Sequence, residues 1–153
     1  MNSKHRARLL AAAEPLLQPS ERVEVTGLAK VGKAPVKANT AALAASVTAG
    51  AVLGVGVAFA QRETYLVLTD RRLIFFAALG VYGPGKYQGS LARETITPTV
   101  LKDGVFVKLQ LDSTGADAPI RLTFPPMPPS LRVHGRALAA ALASTAPRHA
   151  RVT

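Results

Sequence analysis

Leucine and alanine recur at helical spacing near the start of the chain, where Leu9, Ala12, Ala13, Leu16 and Leu17 share one face and Lys4, Arg6 and Arg8 lie upstream. The spacing predicts an amphipathic helix within residues 1–18. Its apolar face is mostly alanine, which suits packing back on the domain better than lying on a membrane surface. Glu14 and Pro15 cut the apolar run too short for a signal peptide, so the segment is expected to be retained. Pro19 and Ser20 end the helix. The period then changes to two. Val23, Val25 and Gly27 alternate with Arg22, Glu24 and Thr26, which predicts a first half-buried strand over Glu21 to Val31 with the valines on one face.

Lys30, Lys33 and Lys37 follow, and then Ala41 to Ala60 runs for twenty residues without a charge. That length meets the span of a bilayer, although beyond Leu43, Val47, Val52, Leu53, Val55, Val57 and Phe59 the run is Ala, Gly, Ser and Thr. Two readings stay open: a soluble or interfacial insertion, and a transmembrane helix anchoring a soluble domain that begins after it. Gly50 and Gly54 form a small-xxx-small spacing through which such helices could self-associate. A single crossing carries a topological cost. It would separate the first strand from every strand after Gln61.

Thr64 to Thr69 and Arg72 to Ala78 are two β-prone runs joined by Asp70-Arg71, which predicts a hairpin. Gly80 to Gly89 reads as a long turn, Lys86 to Val100 as one or two strand pieces broken at Pro98, and Lys102-Asp103-Gly104 as a tight turn. Val105, Val107, Leu109 and Leu111 alternate with polar positions, and Ile120 to Phe124 closes the series. Up to seven short strands in sequence suggest a small barrel or sandwich. After the prolines of 125–129, Ser130 can cap a helix with Leu131, His134, Leu138, Ala141 and Leu142 on one face. That helix is expected to close the open end of the sheet, with His134 packed and hydrogen-bonded on its inner face. The domain reading is therefore an N-terminal helix over 1–18, one domain over 21–144 with an Ala/Gly-rich insertion at 33–61, and a basic tail over 145–153.

Composition narrows the chemistry. Among 153 residues there is no cysteine, so disulfides, thiolate metal sites and thiol nucleophiles are excluded, and a cytoplasmic setting is expected. The three histidines are remote in sequence, which gives no metal-ligand spacing. Gly83-Pro84-Gly85-Lys86 lacks the glycines and the following Ser or Thr of a phosphate-binding loop, and no G-x-S-x-G context occurs. No enzyme activity, cofactor or metal is expected. The formal net charge of +10 favours anionic partners. Nucleic acid is the weakest of these, because tryptophan is absent and few aromatics interleave the cations.

Tyr65 to Phe75, with Leu68, Thr69, Asp70, Arg72 and Leu73 at its centre, resembles the hairpin signature of bacterial pleckstrin-homology-like and GRAM-like domains. The resemblance extends over about Glu21 to Ser144. It implies a mainly β fold with flanking helices: a bent antiparallel sheet or small barrel of about six to seven strands capped by a C-terminal helix, plus the N-terminal amphipathic helix. It also implies a lipid-, membrane- or protein-docking role, peripheral at or anchored in the inner membrane. The insertion at Lys33 to Gln61 is longer than a simple loop between the first two strands of such a domain. In phosphoinositide-binding pleckstrin-homology domains basic residues flank that loop, and Lys30, Lys33, Lys37 and Arg62 occupy comparable places here. They are the expected anion-attracting surface. The hairpin signature itself is expected to be structural, with Asp70 accepting backbone N–H groups across the turn and Leu66, Leu68, Leu73 and Phe75 filling the core.

Overall fold

The computed structural model describes residues 1–33, 62–114, 116 and 118–145. Seven antiparallel strands form one sheet: β1 (Val23–Lys33), β2 (Arg62–Thr69), β3 (Arg72–Ala78), β4 (Pro84–Ala92), β5 (Ile96–Asp103), β6 (Val107–Ser113) and β7 (Ile120–Phe124). Helices α1 (Ser3–Ala13) and α2 (Ser130–Thr145) flank it. The strand order is β4-β3-β2-β1-β7-β6-β5. Among the described residues β4 and β5 are the two edges and do not pair, so the barrel alternative is wrong: the sheet does not close. The long β1 makes this order possible, because its length pairs with β2 while Lys30 to Lys33 pair with β7.

The continuous apolar runs of β2 and β3 follow from burial on both faces. Leu66, Leu68, Leu73 and Phe75 enter one core with Leu109, Leu122, Phe124 and the α2 residues Leu138 and Leu142. Their alternates Tyr65, Val67, Ile74 and Phe76 enter a second core with Leu9 and Ala13 of α1. Strands buried on one face only show the expected alternation, as β6 and β7 do. We call the α2 side of the sheet inner and the α1 side outer. α1 packs back on the domain as expected, though its α-helical part ends at Ala13 and a 3-10 turn carries Glu14 to Leu16. Pro15 cannot donate the next helical hydrogen bond.

Several local expectations shift. Val23 and Val25 lie on opposite faces, Val23 against the α1 core and Val25 against the α2 core, because a β-bulge between them breaks the two-residue period. The turn after β3 is shorter than expected, a 3-10 turn over Gly80 to Tyr82, and β4 already begins at Pro84. The chain breaks at Arg93–Thr95 and runs through Pro98, which β5 tolerates as an edge strand. Ser130 opens α2, and its hydroxyl accepts a hydrogen bond from the Met1 amino group at 2.8 Å. His134 is packed, but its buried Nδ1 has no hydrogen-bond partner. Burial, the Met1 amino group and Arg6 push its pKa down.

Val31 pairs with Arg62, so β1 ends and β2 begins at the same end of the sheet. A single membrane crossing between them is incompatible with that pairing. Among the described residues no helix is long and apolar enough to cross a membrane. Ala41 to Ala60, with Gly50 and Gly54, lies outside the described residues.

Candidate functional site

The hairpin signature is the centre of a buried polar latch. The Thr69 hydroxyl accepts from the amides of Arg71 and Arg72 at 3.1 and 2.9 Å and donates to Glu21 Oε1 at 2.7 Å. Glu21, its side chain fully buried, also takes Arg72 Nε and Nη2 at 2.9 and 3.0 Å and the Gln18 amide at 2.8 Å. The Arg72 guanidinium, against the opposing cost of burial, holds the Glu21 carboxyl at about 2. Asp70 does something different from the expectation: its carboxylate accepts the Arg22 amide at 2.9 Å, tying the turn to the start of β1. Thr69, not Asp70, organises the turn. Leu68 and Leu73 are buried in the core, so each signature side chain is packed or hydrogen-bonded within the fold.

Arg93, invisible to sequence reasoning, is a second clamp. It is buried, donates to the Thr69 carbonyl at 2.8 Å and to the Ala141 carbonyl of α2 at 2.7 Å, and pairs with Glu24 at 2.7 Å. A shallow groove of about 420 Å³ beside it is lined by Asp70, Arg71, Ala92, Arg93 and Glu94. Its buried arginine is already spent on the fold. Among the described residues no cluster of three or more His, Asp or Glu side chains occurs that could hold a metal ion.

The four cations expected to form one surface do not share a face. Arg62 is paired with the inner-facing Val31, and Lys33 has the same parity as Val31. Lys30 is exposed on the outer face, opposite Glu63 on β2 and Thr123 on β7. Lys37 lies outside the described residues. The same outer row continues from Thr123 to Lys108 and from Lys108 to Lys102, so the sheet gives Lys30 neighbours that loop position could not reveal. The outward alternation of Lys108 was readable. Its adjacency to β1 depends on the β1–β7 pairing.

A different grouping forms where β1 ends and β2 begins. The register that pairs Thr64 with Ala77 brings Arg62 to the level of Leu79, at the turn between β3 and β4. That turn exposes Leu79, Val81 and Tyr82 at 55%, 82% and 75%, and Tyr87 on β4 is half exposed. Arg8 of α1 reaches over and donates to the Tyr82 carbonyl at 2.8 Å. Lys4 lies one helical turn before Arg8, and Lys86 is exposed two residues into β4. His5 fixes α1 in place through its Nδ1, 3.0 Å from the Tyr65 hydroxyl, and through its ring against Gly83. This end of the sheet therefore carries an apolar turn with Arg8 of α1 bonded to it, and with Arg62 of β2 and Lys86 of β4 exposed at the same end.

The molecule thus has a mainly antiparallel β architecture: one open seven-stranded sheet with a helix on each face. Among solved structures it is similar to the pleckstrin homology domain from Shewanella amazonensis SB2B, at 15% identity and a TM-score of 0.39, over 84% of this chain and 96% of that one. At that score the likeness says nothing of what this chain binds. No protein-family model matches, and no curated protein matches.

Proposed function

We propose that the chain is a non-enzymatic binding module of the pleckstrin-homology-like kind that docks on an anionic membrane surface, peripheral at the cytoplasmic face of the inner membrane. The hairpin signature and the open antiparallel sheet with its C-terminal helix support the module. The observation that carries the docking is the end of the sheet where the β3–β4 turn exposes Leu79, Val81 and Tyr82, with Arg8 bonded to the Tyr82 carbonyl, Arg62 at the level of Leu79 and Lys86 exposed at the start of β4. Each cation held near an anionic leaflet contributes about 1 kcal/mol, and exposed charges lose that contribution as salt shortens the Debye length. Three such charges suffice for a binding change of about a hundredfold.

Vesicle sedimentation tests the reading. The wild type is expected to bind vesicles rich in phosphatidylserine but not phosphatidylcholine alone, and to be released by salt. Replacing Arg62 and Lys86 with glutamine is expected to weaken binding by about tenfold or more with the fold intact. The single Lys30→Gln change should matter less than Arg62→Gln, because Lys30 stands opposite Glu63 on β2 and farther from the turn. An absence of salt-sensitive binding by the wild type rejects the membrane surface and leaves an acidic protein as the partner.

A further inference from the structure

Resting on that reading of the basic end, we propose that the β3–β4 turn, Leu79 to Tyr82, is a wedge that enters the apolar layer of an anionic bilayer while Lys4, Arg8 and Lys86 sit among the headgroups around it. Among the described residues exposed large apolar side chains group at this turn and around the β5–β6 tip with Val105 and Phe106, and Met127 and Val133 are exposed elsewhere. The turn is the more exposed, with Val81 and Tyr82 at 82% and 75% against 62% and 40% for Val105 and Phe106. Apolar area that water surrounds on a protein surface is available to be transferred into lipid.

The backbone of the turn also suits a wedge. In lipid an unpaired backbone group is costly, so a wedge must satisfy its own amides and carbonyls. The turn does this to a large degree: Leu79 N–H donates to the Gly83 carbonyl at 2.9 Å, Tyr82 N–H to the Leu79 carbonyl at 3.2 Å and Gly83 N–H to the Gly80 carbonyl at 3.2 Å. The Tyr82 carbonyl is taken by Arg8, which places a cation at the base of the wedge. Gly80 and Gly83, at φ 60° and 90°, supply the left-handed backbone that makes so tight a turn project.

Charge suits the turn: Arg8 is bonded to it, Lys4 lies one helical turn before Arg8 and Lys86 is exposed at the start of β4, while at the β5–β6 tip Lys102 and Lys108 stand beside Asp103, which is ion-paired with Arg136 at 2.8 Å. Cations whose stems lie along apolar surface, beside a tyrosine at the rim, are the arrangement that seats a protein at a bilayer interface. The fit is to an anionic lipid surface.

The chain contains no tryptophan, so Tyr82→Trp and Phe106→Trp each create a single reporter. Both positions are exposed enough to accept the change. In phosphatidylserine vesicles with brominated acyl chains, Tyr82→Trp emission should shift to the blue and be strongly quenched, and Phe106→Trp emission should stay as in buffer. Val81→Asp should weaken sedimentation with the same vesicles by about tenfold or more at an unchanged melting temperature. Salt-sensitive vesicle binding with an unquenched Tyr82→Trp, with a quenched Phe106→Trp, or with full affinity in Val81→Asp overturns the wedge and leaves the electrostatic docking standing. Failure of the wild type to sediment at all defeats the docking and the wedge together.

Discussion

Gly135→Ala sets helix propensity against packing, and the structure says packing wins. Gly135 is an interior residue of α2, where alanine is favoured over glycine by about 1 kcal/mol. A Cβ built there falls 2.7 Å from Cγ and Cδ2 of Phe124 and 3.2 Å from its Cβ. Optimal carbon contacts are about 3.5–4.0 Å, so a gap of about 1 Å must open. Phe124 cannot yield. It is fully buried in the inner core, on a strand paired to β6. The helix must therefore lift, loosening Leu131, Leu138 and Leu142, all buried against the sheet. Overpacking of this kind costs about 1–3 kcal/mol, and adding the loosened contacts outweighs the propensity gain. The expected net loss is about 1–2 kcal/mol in urea unfolding followed by far-ultraviolet circular dichroism. Gly104→Ala, where nothing lies within 4 Å, is the control and should stay within about 0.5 kcal/mol of the wild type. A Gly135→Ala protein as stable as the wild type would show that the α2–β7 approach has slack the argument denies.

Two further outcomes test the cores and the latch. Leu138→Asp puts an unpaired charge into the inner core and should cost about 4 kcal/mol or more, and an unaltered melting temperature would refute the seating of α2. Because the Glu21 carboxyl titrates at about 2 in the folded protein against an ordinary 4.5, its contribution is complete above pH 4.5 and is lost as pH falls towards 2. Glu21→Gln should therefore lose about 2–3 kcal/mol at neutral pH and flatten the acid limb of stability over that window; an acid limb identical to the wild type's would remove Glu21 from the latch.

What could be read in the sequence was local. The β2–β3 hairpin, the alternation of β6 and the α2 face of Leu131, Leu138 and Leu142 stand in the structure where period and turn chemistry put them, whereas the turn expected at Lys102-Asp103-Gly104 falls at residues 104–106, because Lys102 and Asp103 still pair with β6. Period fails where one residue is added: the bulge after Val23 turns two valines that read as one face onto two cores. Periodicity also cannot say why Tyr65 to Leu68 is apolar throughout. That required a helix on each side of the sheet.

The site was legible only in part, for the same reason. Lys30, Lys33 and Arg62 are singled out in the sequence by their position around one connection, but which face each takes depends on the register of β1 against β2, and strand pairing moves every side chain with it. Arg8 and Tyr82 are 74 residues apart, as Arg93 and Ala141 are 48 apart, and no local pattern links either pair. The sequence by itself determined the elements, because helical and strand periods are properties of a few neighbouring residues. The tertiary structure decided the open order β4-β3-β2-β1-β7-β6-β5, the two cores and the meeting of Arg8 with the β3–β4 turn, because these arise from burying apolar surface between segments that the chain does not bring together until it folds.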